Sequence, residues 1–413
     1  MILAMTDVEP RPAPPLPLPE TRPPLLTTSA EAIAVAHEFA RSVAGGAAER
    51  DRDRILPIAE IERFSATGLW AIIVPRAYGG PGLPITTVAE VVRIVSAADP
   101  SIGQIPQNHY AFLNFLRAER DEAKKRYFFG KILEGYRLGN ALVEMGTKTA
   151  ADWKTVIRPD GEDFVIQGTK FYCTGALFAH IIPLVARTET GEVLRAMVPR
   201  DTPGVTVIDD WSGFGQRTTA SGTVQFEHVR VPASHVIGLG GLRERPIVYG
   251  PVSQIFQAAI DAGIAAGAFA DTLEFVRRRA RPWIDSGRDR AADDPFTISQ
   301  IGDTRIRLRA AELVLDYAGR VIDEVLEDET VEGIARASIA VAEAKVLTTE
   351  VALHATSNLF ELAGTSSTLG KYNYDRHWRN ARVHTLHDPV RWKYFAIGDY
   401  ELNGTPPPVH SWI

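Results

Sequence analysis

Residues 379–390 read RNARVHTLHDPV, and three side chains there have the types and spacing to do chemistry. His384 and His387 stand three apart, followed at once by Asp388 and Pro389. Three readings fit this pattern: two metal ligands, a general base with an orienting carboxylate, or histidines satisfied at a helix end. A metal needs further donors, and no second His, Cys or Glu cluster at ligand spacing occurs, so none is expected. Cys173 is the only cysteine, which excludes an internal disulfide and a thiolate metal cluster and suits a reducing cytoplasm.

The elements that must position these residues fall into three segments. The chain has 413 residues, 45% of them hydrophobic, enough for a sizeable core in two or three domains. A net charge of −6 and a pI near 6.0 give no electrostatic case for nucleic acid or an anionic membrane. No apolar run approaches the roughly 20 residues of a membrane span. The proline-rich residues 1–26 read as an extended, largely disordered tail. Over 27–137 the pattern is helical: Thr28–Glu31 and Thr87–Glu90 both have capping-box spacing, and a helix is expected after Asp99-Pro100 and over 121–136. VPRAYGGPGLP (74–84) is a turn cluster.

From about 138 to 246 the pattern becomes β. DFVIQGTKFYCTGA (163–176), TPGVTVIDDW (202–211) and SGTVQFEHVRVP (221–232) are rich in β-branched and aromatic residues. Val224 and Phe226 alternate, the pattern breaks, and Val229 with Val231 resume it. From 247 to 413 the helical period returns, with long segments at 252–280, 297–327 and 331–363. Residues 337–353 are apolar on more than one face, which points to subunit contacts.

Three stretches together resemble the acyl-CoA dehydrogenase superfamily over nearly the whole chain after the tail. GTKFYCTGA (168–176) resembles its Gly-Thr-Lys β-domain motif, and DDWSGFGQRTTASGTVQFEHVRVPASHVIG (209–238) the segment ending in a Val-x-Val-Pro strand. ELAGTSSTLGKYNYDRHWRNAR (361–382) resembles the stretch that closes the flavin site from a neighbouring subunit. The resemblance implies an α+β multi-domain fold: an N-terminal helical domain, a central β-domain and a C-terminal four-helix bundle, assembled as a homotetramer. In the common dehydrogenases of that family a Tyr-Glu-Gly-Thr sequence supplies the glutamate that removes the substrate α-proton. Here His387, Asp388 and Pro389 stand at its first three positions, with the acid one methylene shorter and the backbone constrained by proline.

HTLHDP instead resembles the reduced-flavin monooxygenases on the same fold, the dibenzothiophene monooxygenases and SfnB-type sulfur-acquisition oxidoreductases. The SfnB-type branch is nearest on IPQNH (105–109) and TKFYCTGALFA (169–179). That resemblance implies an FMNH2-dependent two-component system, with a separate NAD(P)H:flavin reductase and O2 as co-substrate. Oxygen passes to a sulfide or sulfoxide through a flavin C4a-hydroperoxide. Sulfur is already a nucleophile, so the step needs a dry pocket and placed donors and no carboxylate base. Rival readings are an FAD-dependent acyl-CoA dehydrogenase with Asp388 as base, and a flavin-binding homologue without catalysis. Transfer to nitrogen or carbon also stays open.

Matched residue by residue, the resemblance makes His387 the donor that orients the flavin peroxide, with Gln104 and Asn108 where relatives carry a histidine and an aromatic. His109 and Glu144 are expected in the substrate pocket. Asn140, Tyr172, Thr174, Trp211 and Ser221 match the flavin-ring pocket, and Arg281, Thr365 and Ser366 the phosphate contacts made across a subunit boundary. His384 is expected to be structural and Cys173 inert packing. Gly240-Gly241 lacks the strand and helix context of a dinucleotide fingerprint, so no bound nicotinamide is expected.

Overall fold

The computed structural model describes residues 11–238 and 247–413, so Gly240-Gly241 and the expected domain end at 246 lie outside the described residues. The helices α1 (Ser29–Ala44), α2 (Ala47–Asp53), α3 (Ile58–Ala66), α4 (Ile85–Ala98), α5 (Pro100–Gln104), α6 (Gln107–Arg117) and α7 (Glu122–Leu133) come first. Their starts follow local chemistry. Thr28 caps α1 with a full capping box, its hydroxyl accepting from the Glu31 amide while the Glu31 carboxylate accepts from Thr28 N. Asp99 accepts from the amides of Ser101 and Ile102 to start α5. The capping box expected at Thr87–Glu90 does not form. Pro84 sets an earlier start, and the Asp323 carboxylate caps it from a distant helix, accepting from Ile85 N at 2.6 Å and Thr86 N at 3.1 Å.

The β-region is one sheet in the order β1 (Arg11–Pro12), β6 (Val205–Asp209), β7 (Thr223–Pro232), β3 (Asp163–Lys170), β2 (Val156–Asp160), β4 (Ile181–Arg187), β5 (Val193–Pro199), β8 (Val236–Gly238). The broken alternation in β7 is a bulge. Ile166 pairs with Val229 but Gly168 pairs with Phe226, so the left-handed His228 (φ 51°) is the extra residue. Val224, Phe226, Val229 and Val231 therefore all reach the core.

The tail expectation is corrected for residues 11–26. They form an extended strap: β1 pairs with β6, and Arg200 and His180 hydrogen-bond the carbonyls of Pro14 and Pro17. Leu26 is buried. Proline-rich chain lies flat and extended, and an edge strand tolerates its missing amide hydrogens.

The C-terminal region comprises α8 (Tyr249–Arg278), α9 (Pro295–Val325), α10 (Val331–Ala363), α11 (Asp375–His384) and α12 (Arg391–Asn403). α8 packs between α10 and α4, and a Cβ at Gly263 would stand 2.6 Å from the Arg93 carbonyl of α4. Contrary to the sequence reading, α8 is long and apolar enough to cross a membrane, but 89% of its most apolar window is buried inside the protein. It is a core helix, and it carries part of the site.

Candidate active site

A cavity of about 530 Å³ opens where the sheet meets both helical regions. Eight of the residues expected in the site line it: Gln104, Asn108, Asn140, Tyr172, Thr174, Trp211, Ser221 and His387. They form two unlike walls.

On the sheet side, parallel bridging of Ala141 to Leu184 holds the loop that carries Asn140. The Asn140 amide donates to the Tyr172 carbonyl at 3.2 Å, while its Oδ1 is buried without a partner. Such an acceptor needs a donor from whatever fills the cavity. The hydroxyls of Thr174 and Thr219 each lie 2.7 Å from the Ser221 hydroxyl, and Thr219 donates to the Gln216 carbonyl. Trp211 donates to that same carbonyl at 2.8 Å and meets Tyr172 edge to face. Tyr172, Gln216 and Ala220 hold φ of 57°, 49° and 48°, so this wall concentrates backbone strain of about 1–3 kcal/mol per residue.

The helical side is built of amides and imidazoles. Gln216 donates to Gln104 Oε1 at 2.8 Å, leaving the Gln104 NH2 group for the cavity. α8 contributes Ser253, Gln254 and Gln257, and Ser411 with Trp412 complete the wall. Gln254 donates to the Ser411 carbonyl at 2.6 Å.

The two histidines of the opening motif each face their own carboxylate. His384 is buried, its Nδ1 2.5 Å from Asp261 Oδ1, and Lys345 Nζ lies 2.5 Å from the other Asp261 oxygen. Burial works against the Asp261 charge, but Lys345 and His384 together hold the carboxyl below its ordinary range. His387 caps the cavity edge with 36% of its side chain exposed, its Nδ1 3.0 Å from Asp388 Oδ1. Asp388 is 1% exposed, and Lys393 Nζ lies 3.2 Å from its second oxygen. Burial opposes the Asp388 charge as well, yet His387, Lys345 and Lys393 outweigh it and hold the carboxyl far below the usual range. Both Nδ1 atoms therefore carry hydrogen toward an anion, and Nε2 of His387, 3.4 Å from the Gln257 amide nitrogen, lies on the cavity side.

Two expected pocket residues are corrected. His109 is fully buried: Nε2–H donates to the Trp70 carbonyl at 2.8 Å, and Nδ1 accepts from Leu138 N at 3.0 Å. Burial pushes its pKa down to about 3, so it is a neutral core histidine. Glu144 is held by Lys170 at 2.7 Å and by the Thr155 and Lys154 amides, a structural ion pair beneath the first loop. Arg281, Thr365 and Ser366 lie outside the cavity on exposed helix-end segments. Cys173 is buried, and burial pushes its thiol pKa up. Gln216, Thr219, Ser253, Gln254 and Gln257 were not foreseen. The signal for the last three was the polar set Ser253, Gln254, Gln257 and Asp261 on one face of a largely apolar helix.

Models of the acyl-CoA dehydrogenase N-terminal, middle and C-terminal domains match residues 29–135, 144–229 and 255–392. A dibenzothiophene monooxygenase of Rhodococcus qingshengii is 33% identical over 392 residues, 91% of this chain and 94% of that protein. A probable FMNH2-dependent monooxygenase, SfnC of Pseudomonas putida, is 30% identical over 392 residues, 93% of this chain and 98% of that one. The crystal structure of FMN-bound TdsC from Paenibacillus sp. A11-2 matches with a TM-score of 0.89 at 28% identity, covering 92% of this chain and 100% of that one.

Proposed function

The chain belongs to the acyl-CoA dehydrogenase family, and from that premise we propose that it is an FMN-dependent monooxygenase acting on the sulfur of a small or aromatic organosulfur compound. The observation that carries this reading over a dehydrogenase is the engagement of Asp388. A base for an α-proton needs a free oxygen within about 3 Å of that proton and a pKa near working pH. Asp388 is buried, does not line the cavity, and is pinned by His387 and Lys393. An imidazole faces the cavity in its place.

The cavity fits a flavin ring. The unpartnered Asn140 Oδ1 offers an acceptor for a ring N–H, the Thr174–Ser221 pair offers hydroxyls, and Trp211 with Tyr172 offers aromatic edges. Reduced FMN, supplied by a separate flavin reductase, would activate O2 and give one oxygen atom to the substrate, the other leaving as water. The protein's own part is to position and shield. His387 presents its imidazole at the cavity edge to orient the oxygen-bearing flavin, Asp388 orients that ring, and Gln104 with Asn108 shape the substrate side in place of the imidazole and aromatic of the relatives. Arg281, Thr365 and Ser366 fit a phosphate contact made toward a neighbouring subunit, since all three are exposed and away from this chain's cavity. A homotetramer agrees with the apolar faces of α9 and α12, where Phe296, Ile306 and Leu402 are 78%, 71% and 83% exposed. A cytoplasmic setting agrees with the single buried thiol.

The test supplies reduced FMN and 18O2 to the protein with a panel of aromatic sulfides and small sulfoxides. The expected product carries one labelled oxygen on sulfur. Unlabelled sulfur compounds throughout, together with bleaching of bound flavin by an acyl-CoA, would return the dehydrogenase reading.

A further inference from the structure

His384 and His387 are joined as well as separately anchored. Gln257 of α8 lies between them, its Oε1 2.8 Å from His384 Nε2 and its Nε2 3.4 Å from His387 Nε2. We propose that Gln257 makes the two imidazoles share a single proton, so that the cavity-facing Nε2 of His387 can accept or donate with no change in the total charge of the cluster. The use of this device rests on the reading of His387 as the residue facing the reaction, while the sharing itself rests on geometry.

The geometry leaves the proton two places. Asp261, paired with Lys345 and Thr349, takes the Nδ1–H of His384. Asp388, paired with Lys393, takes the Nδ1–H of His387. Only the two Nε2 atoms remain to titrate, and an amide offers them one acceptor end and one donor end. With both Nε2 atoms bare, the Gln257 oxygen faces a lone pair. With both protonated, its NH2 group faces an N–H. With one proton on the pair, every junction joins a donor to an acceptor.

Two arrangements meet that condition. With the amide placed as it is, Oε1 toward His384 and NH2 toward His387, the proton belongs on His384, which donates to Oε1. In the other, the amide is turned over and the proton sits on His387. One N–H bond breaks and one forms, the proton travels through cavity water, and nothing is oxidised or reduced. Burial holds the His384 pKa below its ordinary value, against the pull of Asp261 at 2.5 Å, so that ring does not keep the proton outright. His387 has 36% of its side chain exposed, and its carboxylate is more distant, at 3.0 Å. The charged groups facing the pair are Asp261 from α8, Lys345 from α10, Asp388 ahead of α12 and Lys393 on it, with His410 beyond Lys393. Gln257 is thus a positioning residue, acting through His387.

The test is a pH titration of the protein with 13C-labelled histidine, free of flavin and substrate, with the two rings assigned by single substitution. Wild type should show both rings moving at one shared midpoint, each through part of the full imidazolium change, the two parts summing to one proton. Gln257→Leu should separate the midpoints by about one pH unit or more and restore full amplitude to each ring. Gln257→Glu keeps the size and offers an acceptor to both sides, so both rings should take a full proton together. That variant keeps the test decisive if the leucine variant fails to fold. Independent, full-amplitude titration of the two rings in wild type would overturn the proposal. Failure of the monooxygenase reading would leave the titration result intact, since no flavin is present in it.

Discussion

The sheet side and the helical side of the cavity hold their groups in different ways. On the sheet side, hydroxyls and an amide are fixed by strand pairing and by short side-chain bonds within one region, as in the Thr174–Ser221–Thr219 chain. On the helical side, Gln104 depends on Gln216 and His384 on Asp261, partners from other elements, while His387 rests on its neighbour Asp388, itself paired with Lys393 of α12. The first arrangement suits holding a rigid ring in place. The second suits a group whose protonation has to change, because its partners can be tuned without disturbing the ring site.

That division can be broken by substitution, and the largest effect is expected on the helical side. His387→Phe removes the cavity-facing Nε2, so oxygenated product should fall by about a hundredfold or more while oxygen uptake continues as hydrogen peroxide. FMN affinity should stay within about threefold, since no sheet-side contact is lost. Parallel assays of product and peroxide, with a flavin titration, decide it; undiminished oxygenation would remove His387 from the chemistry. A smaller effect of the opposite kind is expected from Ser221→Ala. Thr174 and Thr219 lose their common partner, and FMN affinity should weaken about three- to tenfold with the product-to-peroxide ratio unchanged. A changed ratio would mean that the two walls are not separable.

The smallest effect concerns the far edge of the sheet. His180 accepts from Arg137 N at Nδ1, so its Nε2–H donates to the Pro17 carbonyl of the strap. Burial pushes its pKa down to about 4. A depressed folded-state pKa means that its contribution is complete above the unfolded value of about 6.5 and fades as pH falls toward 4. Protection from hydrogen exchange over residues 11–26, taken relative to the intrinsic amide rate at each pH, should therefore fall across that window, before the core opens. His180→Phe should show quickened exchange at neutral pH already.

Much of this architecture was legible because it is written locally. The Thr28 capping box, the Asp99 and Asp121 caps and the break in β7 depend on residues a few positions apart. What misled was contact at a distance. Asn108 and His109 are adjacent in sequence, but a helix turns by about 100° per residue, so one faces the cavity and the other the core. Glu144 sits on the loop that follows Asn140, yet Lys170 from β3 claims it. The strap read as disorder because its anchors, His180 and Arg200, lie far along the chain. The polar face of α8 was visible, but that segment was read for its apolar period. Four polar side chains held on one face of a buried helix are the stronger message, since burial without partners would be costly.

The left-handed backbone at Tyr172, Gln216 and Ala220 also bears on how this sequence can drift. Glycine at any of the three would relieve strain, and asparagine would lessen it. Selection for stability alone would therefore move all three positions toward those residues. At 172 the change would remove the aromatic ring beside Trp211, and at 216 the amide that holds Gln104. At those two positions the strained backbone is therefore tied to the arrangement of the cavity, and a stabilising substitution there would be made at the site's expense.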